Sequence, residues 1–179
     1  MMAAGRGVLG LFVGNRQAGS YFDFSMRGLA GSFIALLLVT VLNAAMPTIM
    51  GAEDDSITRA IVIVAILFAL QVGFSVIALR QLKRMDGLVP YIVADNWATF
   101  FLTLISTALV AAGLANDFTL IVLGIIVILI EVNIARLIVT LSPIQIAMFL
   151  IAQLVGVSIG LLLVGFLFPV PPDAVVPAA

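Results

Sequence analysis

The chain has 179 residues, of which 64% are hydrophobic and 9% charged, and its 8 basic and 9 acidic side chains leave a formal net charge of -1. Soluble domains carry charge on about a quarter of their residues, so this composition excludes a water-soluble globular protein and points to an integral membrane protein. Basic residues are too few to cluster into a nucleic-acid footprint, and nucleic acid is not an expected partner. Cysteine and histidine are both absent, which removes disulfides, thiolate and imidazole metal sites, Ser-His-Asp chemistry and thiol nucleophiles together.

Residues 1–27 precede the first long apolar run. Their apolar patch, Val8 to Val13, is followed at once by Asn15 and Arg16. It is shorter than a secretory core and lacks a small-residue cleavage site, so the chain reads as uncleaved and targeted by its first membrane helix. The segment is expected to be cytoplasmic or interfacial. Two forms fit it equally: a helical turn on the membrane surface anchored by Leu9, Phe12, Tyr21 and Phe22, or an unstructured leader.

A helix needs about 20 apolar residues to cross a hydrocarbon layer of about 30 Å, and five segments within 28–168 meet that ruler. The first, 28–50, is interrupted near its end by Pro47. The second, 57–82, follows the acidic turn Glu53-Asp54-Asp55-Ser56. The third begins near Leu88, tolerates Pro90 in its first turn because the missing N–H would be unbonded there, and ends before Asn116-Asp117. The fourth starts at Phe118 with Asp117 as its expected N-cap. The fifth starts at Pro143, because Ser142-Pro143-Ile144-Gln145 is a capping box with proline at the first helical position. It ends at Phe168, where Pro169, Pro171 and Pro172 forbid continuation, and 169–179 is a proline-rich tail.

Lys and Arg distribution sets the expected orientation. Arg6, Arg16 and Arg27 precede the first helix, Arg80, Lys83 and Arg84 separate the second and third, and Arg136 lies near the junction of the fourth and fifth. These regions share one side, the cytoplasm. The opposite loops carry Glu53, Asp54, Asp55 and Asp117, with Arg59 explained as an i,i+4 partner of Asp55. The N-terminus is then cytoplasmic and the tail extracytoplasmic. No internal repeat is visible, which weighs against the inverted-repeat transporters.

Polar residues inside the apolar runs fall into one layer. At 1.5 Å per residue, Glu131 and Asp95 each lie about 10 Å above the cytoplasmic boundary, and Gln71 and Gln153 come out near the same depth. Asn96 flanks the layer, and Asn133 and Arg136 lie on its cytoplasmic side. Trp97 fits either an interfacial anchor or packing inside the bundle. Glu131 and Arg136 are separated by about 140° around a regular helix, so Asp95 is the expected partner of Arg136. Three roles stay open for the layer: interhelical glue, a proton or ion path through Glu131 and Asp95, or a site for a lipid headgroup or small ligand.

Other signals are weaker. Gly156 and Gly160 form a GxxxG match that would let another helix approach, and 80–84 is a basic cluster suited to anionic lipid. No Walker loop, dinucleotide fingerprint or zinc-protease helix occurs, so no enzymatic activity, cofactor or metal is expected. Phe22-Asp23-Phe24-Ser25 with Arg27-Gly28 and Ser32-Phe33, then Asp95-Asn96-Trp97-Ala98, then Ala135-Arg136 with Ser142 and Gln145, resemble a plan recurring in small, uncharacterised multi-pass inner-membrane proteins of bacteria. That resemblance implies a bacterial inner membrane and a similar layout, and carries over no activity. The combined expectation is an all-α bundle of five transmembrane helices with lipid and other membrane proteins, or its own copies, as partners. Functionally it is an accessory, assembly or scaffold component of a membrane complex, with a small proton- or ion-coupled transporter or channel component using Glu131 and Asp95 as the alternative.

Overall fold

The structure is a computed structural model that describes residues 1–49 and 57–169. The acidic turn at 53–56, its pairing with Arg59, and the tail beyond Pro169 lie outside the described residues. Among those described there are six α-helices and no strand: α1 (Met2–Phe12), α2 (Met26–Ile49), α3 (Ile57–Gln81), α4 (Leu88–Ala111), α5 (Asp117–Asn133) and α6 (Pro143–Leu167). Helices α2, α3, α4 and α6, and α5 together with the turn that extends it to Ile138, are long and apolar enough to cross a membrane, and the fold is the all-α membrane bundle that the hydropathy predicts. One end carries Arg80, Lys83, Arg84 and Arg136 and is called the basic end below.

Helix boundaries follow local chemistry. Helix α2 continues past Pro47 to Ile49. At the start of α5 the cap is Asn116, one residue before the expected Asp117: Asn116 is extended and its Oδ1 accepts the Thr119 N–H at 3.0 Å. Asp117 instead occupies the first turn, where a negative charge complements the helix dipole. The capping box of α6 forms as the sequence predicts, with the Ser142 N–H donating to Gln145 Oε1 at 2.9 Å.

The polar interruption at the end of α5 takes a form that periodicity does not reveal. Residues Ile134–Ile138 make a π-helical turn, in which the Val139 N–H reaches back to Ile134 O at 3.0 Å. Thr140 then adopts a left-handed φ of 58°. The carbonyls released by this irregular turn are collected by Arg84, which donates to Thr140 O at 2.9 Å, to Thr140 Oγ1 at 2.7 Å and to Val139 O. The basic cluster therefore supplies a structural clamp between the α3–α4 turn and the α5–α6 junction.

Helix α1 is ordered and packed. Ala4, Val8 and Leu11 recur at helical spacing and are buried, while Leu9 and Phe12 face outward. It contacts both α4 and α5. Gly7 is required there, because a Cβ would stand 2.6 Å from the Phe22 ring. A 3-10 turn, Ala18–Tyr21, leads back toward α2. Asp23 Oδ1 accepts the Ser25 N–H at 2.9 Å and Ser25 Oγ accepts the Gly28 N–H at 3.3 Å, which caps α2 and gives the Asp-Phe-Ser-Met-Arg-Gly stretch a structural purpose.

The most extensive helix contact joins α3 and α6. Phe149, Gln153, Gly156 and Gly160 form the buried stripe of α6, at the i, i+4, i+7, i+11 spacing of a packing seam. A Cβ on Gly156 would lie 2.9 Å from Phe74, and one on Gly160 would lie 2.8 Å from Leu67. The GxxxG match is thus consumed inside the molecule, by α3. Trp97 packs within the bundle, its ring 5.7 Å from Phe100 and 6.1 Å from Phe101 between centroids.

Candidate intramembrane polar site

Helix α4 supplies the frame. Tyr91, Asp95, Thr99 and Thr103 recur every four residues and Ser106 three further on, so their side chains share one flank of the helix. Asn96 is turned about 100° from Asp95 and faces α2, where its Nδ2 donates to Ser32 Oγ at 3.0 Å.

The polar layer divides into two parts. The first is a neutral hub on Tyr91, a residue fully buried that the depth argument passed over because tyrosine reads as apolar in a hydropathy scan. Gln71 Nε2 donates to the Tyr91 hydroxyl at 3.0 Å from α3, and Gln153 Nε2 donates to the same oxygen from α6. Gln153 also reaches Ser75 Oγ at 3.3 Å, and Ser75 Oγ donates to Gln71 O at 2.7 Å. Every member has partners, and the Tyr91 ring stands edge-on to Phe149 at 5.1 Å. Such a closed network fixes the register of α3, α4 and α6.

The second part is the pair Asp95 and Glu131, carboxyls that α4 and α5 bring to the same cavity. Among the described residues no donor reaches the buried Oε2 of Glu131. The pairing of Asp95 with Arg136 does not occur. Arg136 lies in the π-helical turn, which alters the angular advance past Glu131, and it is exposed. Asn133, expected beside the layer, is used elsewhere: its Nδ2 donates to Leu11 O at 2.8 Å, adding a second donor to a carbonyl at the end of α1 and tying that helix to the bundle.

A cavity of about 400 Å³ opens between α2, α4 and α5 and ends on Asp95 and Glu131. Its α4 wall carries Thr99, Thr103 and Ser106, its α2 wall carries Asn43, and its α5 wall is Leu120, Leu123, Gly124 and Val127. From Asp95 to Ser106 the polar wall rises about 16 Å toward the end opposite the basic one. There Thr107 Oγ1 donates to Asn43 Oδ1 at 3.1 Å. The volume lies in the range of small-molecule and ion-access sites, about 300–1,000 Å³. Thr99, Thr103, Ser106 and Asn43 are functional candidates that no individual residue signalled; the helical spacing above Asp95 could have found the three on α4, and nothing in the sequence marks Asn43 on α2.

Among the described residues, no cluster of three or more acidic, histidine or cysteine side chains is present to hold a metal. No protein-family model, curated protein or solved structure matches the chain.

Proposed function

We propose that the protein is a small proton- or ion-coupled transporter or channel component, in which the Asp95–Glu131 pair exchanges a proton or small cation with the cavity above it. The observation that supports this most is the one-sided wall of hydroxyl and amide groups leading from the far end of the bundle to the carboxyl pair. Purely structural polar residues are satisfied by one another, as at Tyr91; these line open space. Ionisable groups at membrane depth that face a cavity commonly mark a path. With the basic end cytoplasmic by the charge rule, the cavity opens outward, and the resemblance noted above fits a bacterial inner membrane.

The test is proton flux in proteoliposomes. Glu131→Gln keeps the shape and a hydrogen-bonding end but removes the exchangeable charge, so flux should be abolished while the thermal midpoint is unchanged or raised. Unaltered flux, or a variant that loses only stability, would overturn the reading.

A role as an accessory, assembly or scaffold component is the second reading. The observation favouring it is the far half of α5, where Phe118, Ile121 and Ile125 are 75%, 62% and 53% exposed and face a membrane partner as readily as lipid. Mild-detergent purification followed by native mass spectrometry should then recover a stoichiometric partner; a lone monomer counts against it.

A further inference from the structure

A second, smaller space touches the same aspartate from the other side. It has a volume of about 120 Å³ between α2, α3 and α4, and its polar lining is Gln71, Asp95, Asn96 and Thr99 against Leu36 and Phe68. Asn96 is wholly buried, and its Oδ1 has no hydrogen-bond partner. The amide orientation is fixed by its neighbour. Ser32 Oγ gives its own proton to Leu29 O at 2.8 Å, so it can only accept from Asn96, and the Asn96 nitrogen must point at it. The oxygen is therefore the end left over.

The chamber thus presents oxygens and no basic side chain. A buried acceptor left without a partner is destabilising, so an occupant that supplies positive charge or hydrogens is called for. Charge narrows the choice. The lining of this chamber carries one carboxylate, Asp95, and no basic side chain. A divalent ion would need more carboxylates than this, whereas one unit of positive charge balances it. Hard oxygen ligands without sulfur or imidazole suit an alkali or alkaline-earth cation over a transition metal.

We propose that the chamber binds one dehydrated alkali cation, Na⁺, through the Asp95 carboxylate, Asn96 Oδ1 and Thr99 Oγ1. The proposal shares Asp95 with the transport reading and does not require transport to occur. It makes α4 the meeting point of a cation chamber on one flank and an open cavity on the other.

Trp97, the single tryptophan of the chain, follows Asn96 directly and supplies the readout. The purified full-length protein in detergent is titrated with NaCl at constant ionic strength against choline chloride, reading Trp97 fluorescence and the thermal midpoint. A saturable, Na⁺-specific change in both is expected, with the half-saturating concentration raised at least tenfold in Asn96→Leu and in Thr99→Val. Thr99→Val is nearly isosteric and serves if Asn96→Leu does not fold. Identical responses to Na⁺ and choline, as water alone in the chamber would give, overturn the proposal, as does a Na⁺ response that both variants leave intact. Glu131-dependent proton flux without a Na⁺ response would sink the cation site and spare the transport reading; a Na⁺ response without flux would do the reverse.

Discussion

Helix α6 and helix α5 follow one another in the chain and are built from nearly the same residues, yet they meet the bundle in opposite ways. Along α6 Gly156 and Gly160 lie flush against Phe74 and Leu67, only Gly165 near its end standing open, and the one buried amide, Gln153, is bonded to Tyr91 and Ser75. Along α5 the glycine, Gly124, has nothing within 4 Å of where its Cβ would be, and the buried carboxyl, Glu131, has an oxygen that no donor among the described residues reaches. In a bilayer, helices gain little from burying apolar surface against each other, because lipid is equally apolar. Close contact must come from small residues and hydrogen bonds, and α6 uses both. Helix α5 uses neither in its far half and is held at its basic end, by α1, Asn133 and the π-helical turn. One helix is a structural wall and the other borders a working space.

Matched glycine substitutions give the largest expected effect and the most direct way to break this contrast. Gly156→Leu places branched carbons where the Phe74 ring now sits, and overpacking of this kind costs about 1–3 kcal/mol or more. Gly124→Leu enters open space and should change stability by no more than about 0.5 kcal/mol, while narrowing the cavity. Thermal or steric-trap unfolding of the two variants in the same detergent checks the pair. Equal losses would mean that α5 is as tightly seated as α6 and that the cavity is closed in solution.

Much of this was legible in the residues. Segment length gave the five spans, Ser142-Pro143-Ile144-Gln145 gave the start of α6 to the residue, and rise per residue put Asp95, Glu131, Gln71 and Gln153 at one depth. Depth is a single coordinate, however, and it cannot say which residues at one level face each other. That is why Arg136 was matched to Asp95: the angle assumed a regular helix, and the π-helical turn between Ile134 and Ile138 changes it. The same limit hid the division of the layer, since Tyr91 and Ser75, which close the neutral hub, carry no charge and interrupt no apolar run. Helix α1 escaped because its inward residues, Ala4, Gly7, Val8 and Leu11, are mostly small and make only a short apolar patch.

Next in size is Tyr91→Phe, which sharpens the division of the layer. The ring and its contact with Phe149 remain, but the amides of Gln71 and Gln153 both lose their shared acceptor. Hydrogen bonds between membrane helices are worth about 0.6 kcal/mol on average and about 1.7 at most, so a loss of about 1–2 kcal/mol is expected, with proton flux retained because the cavity does not include Tyr91. If the variant is as stable as the parent and has lost flux, Tyr91 belongs with the carboxyl pair and the hub is not separate.

Asn133→Ala comes third and tests how α5 is held. Leu11 O loses its side-chain donor, though it still accepts the Gly14 N–H at 3.1 Å, so the expected cost is about 1 kcal/mol, concentrated on α1. Limited proteolysis should cut within the first 20 residues faster, with the spans resistant as before. An unchanged cleavage pattern would mean that Ala4, Val8 and Leu11 hold α1 by packing alone.

The smallest effect is expected where α1 hands over to α2, and it depends on pH. The Asp23 carboxyl is held below its ordinary range, first by its hydrogen bonds from Ser25 and then by the nearby Arg27 charge. A lowered folded pKa means that the unfolded chain takes up the proton first. The stabilisation is therefore complete above the unfolded value, about 4, and is lost as pH falls through the folded one. Asp23 is fully exposed, so the consequence is local: below about pH 4 the Ser25 N–H should lose protection relative to its neighbours, and the cap of α2 should fray. Asp23→Asn keeps an acceptor oxygen without the titration, so its relative protection at Ser25 should not vary between pH 3 and pH 6 beyond the intrinsic exchange rate. Hydrogen exchange on parent and variant checks this. A matching loss at Ser25 in both would mean that the acid sensitivity of this cap does not arise at Asp23.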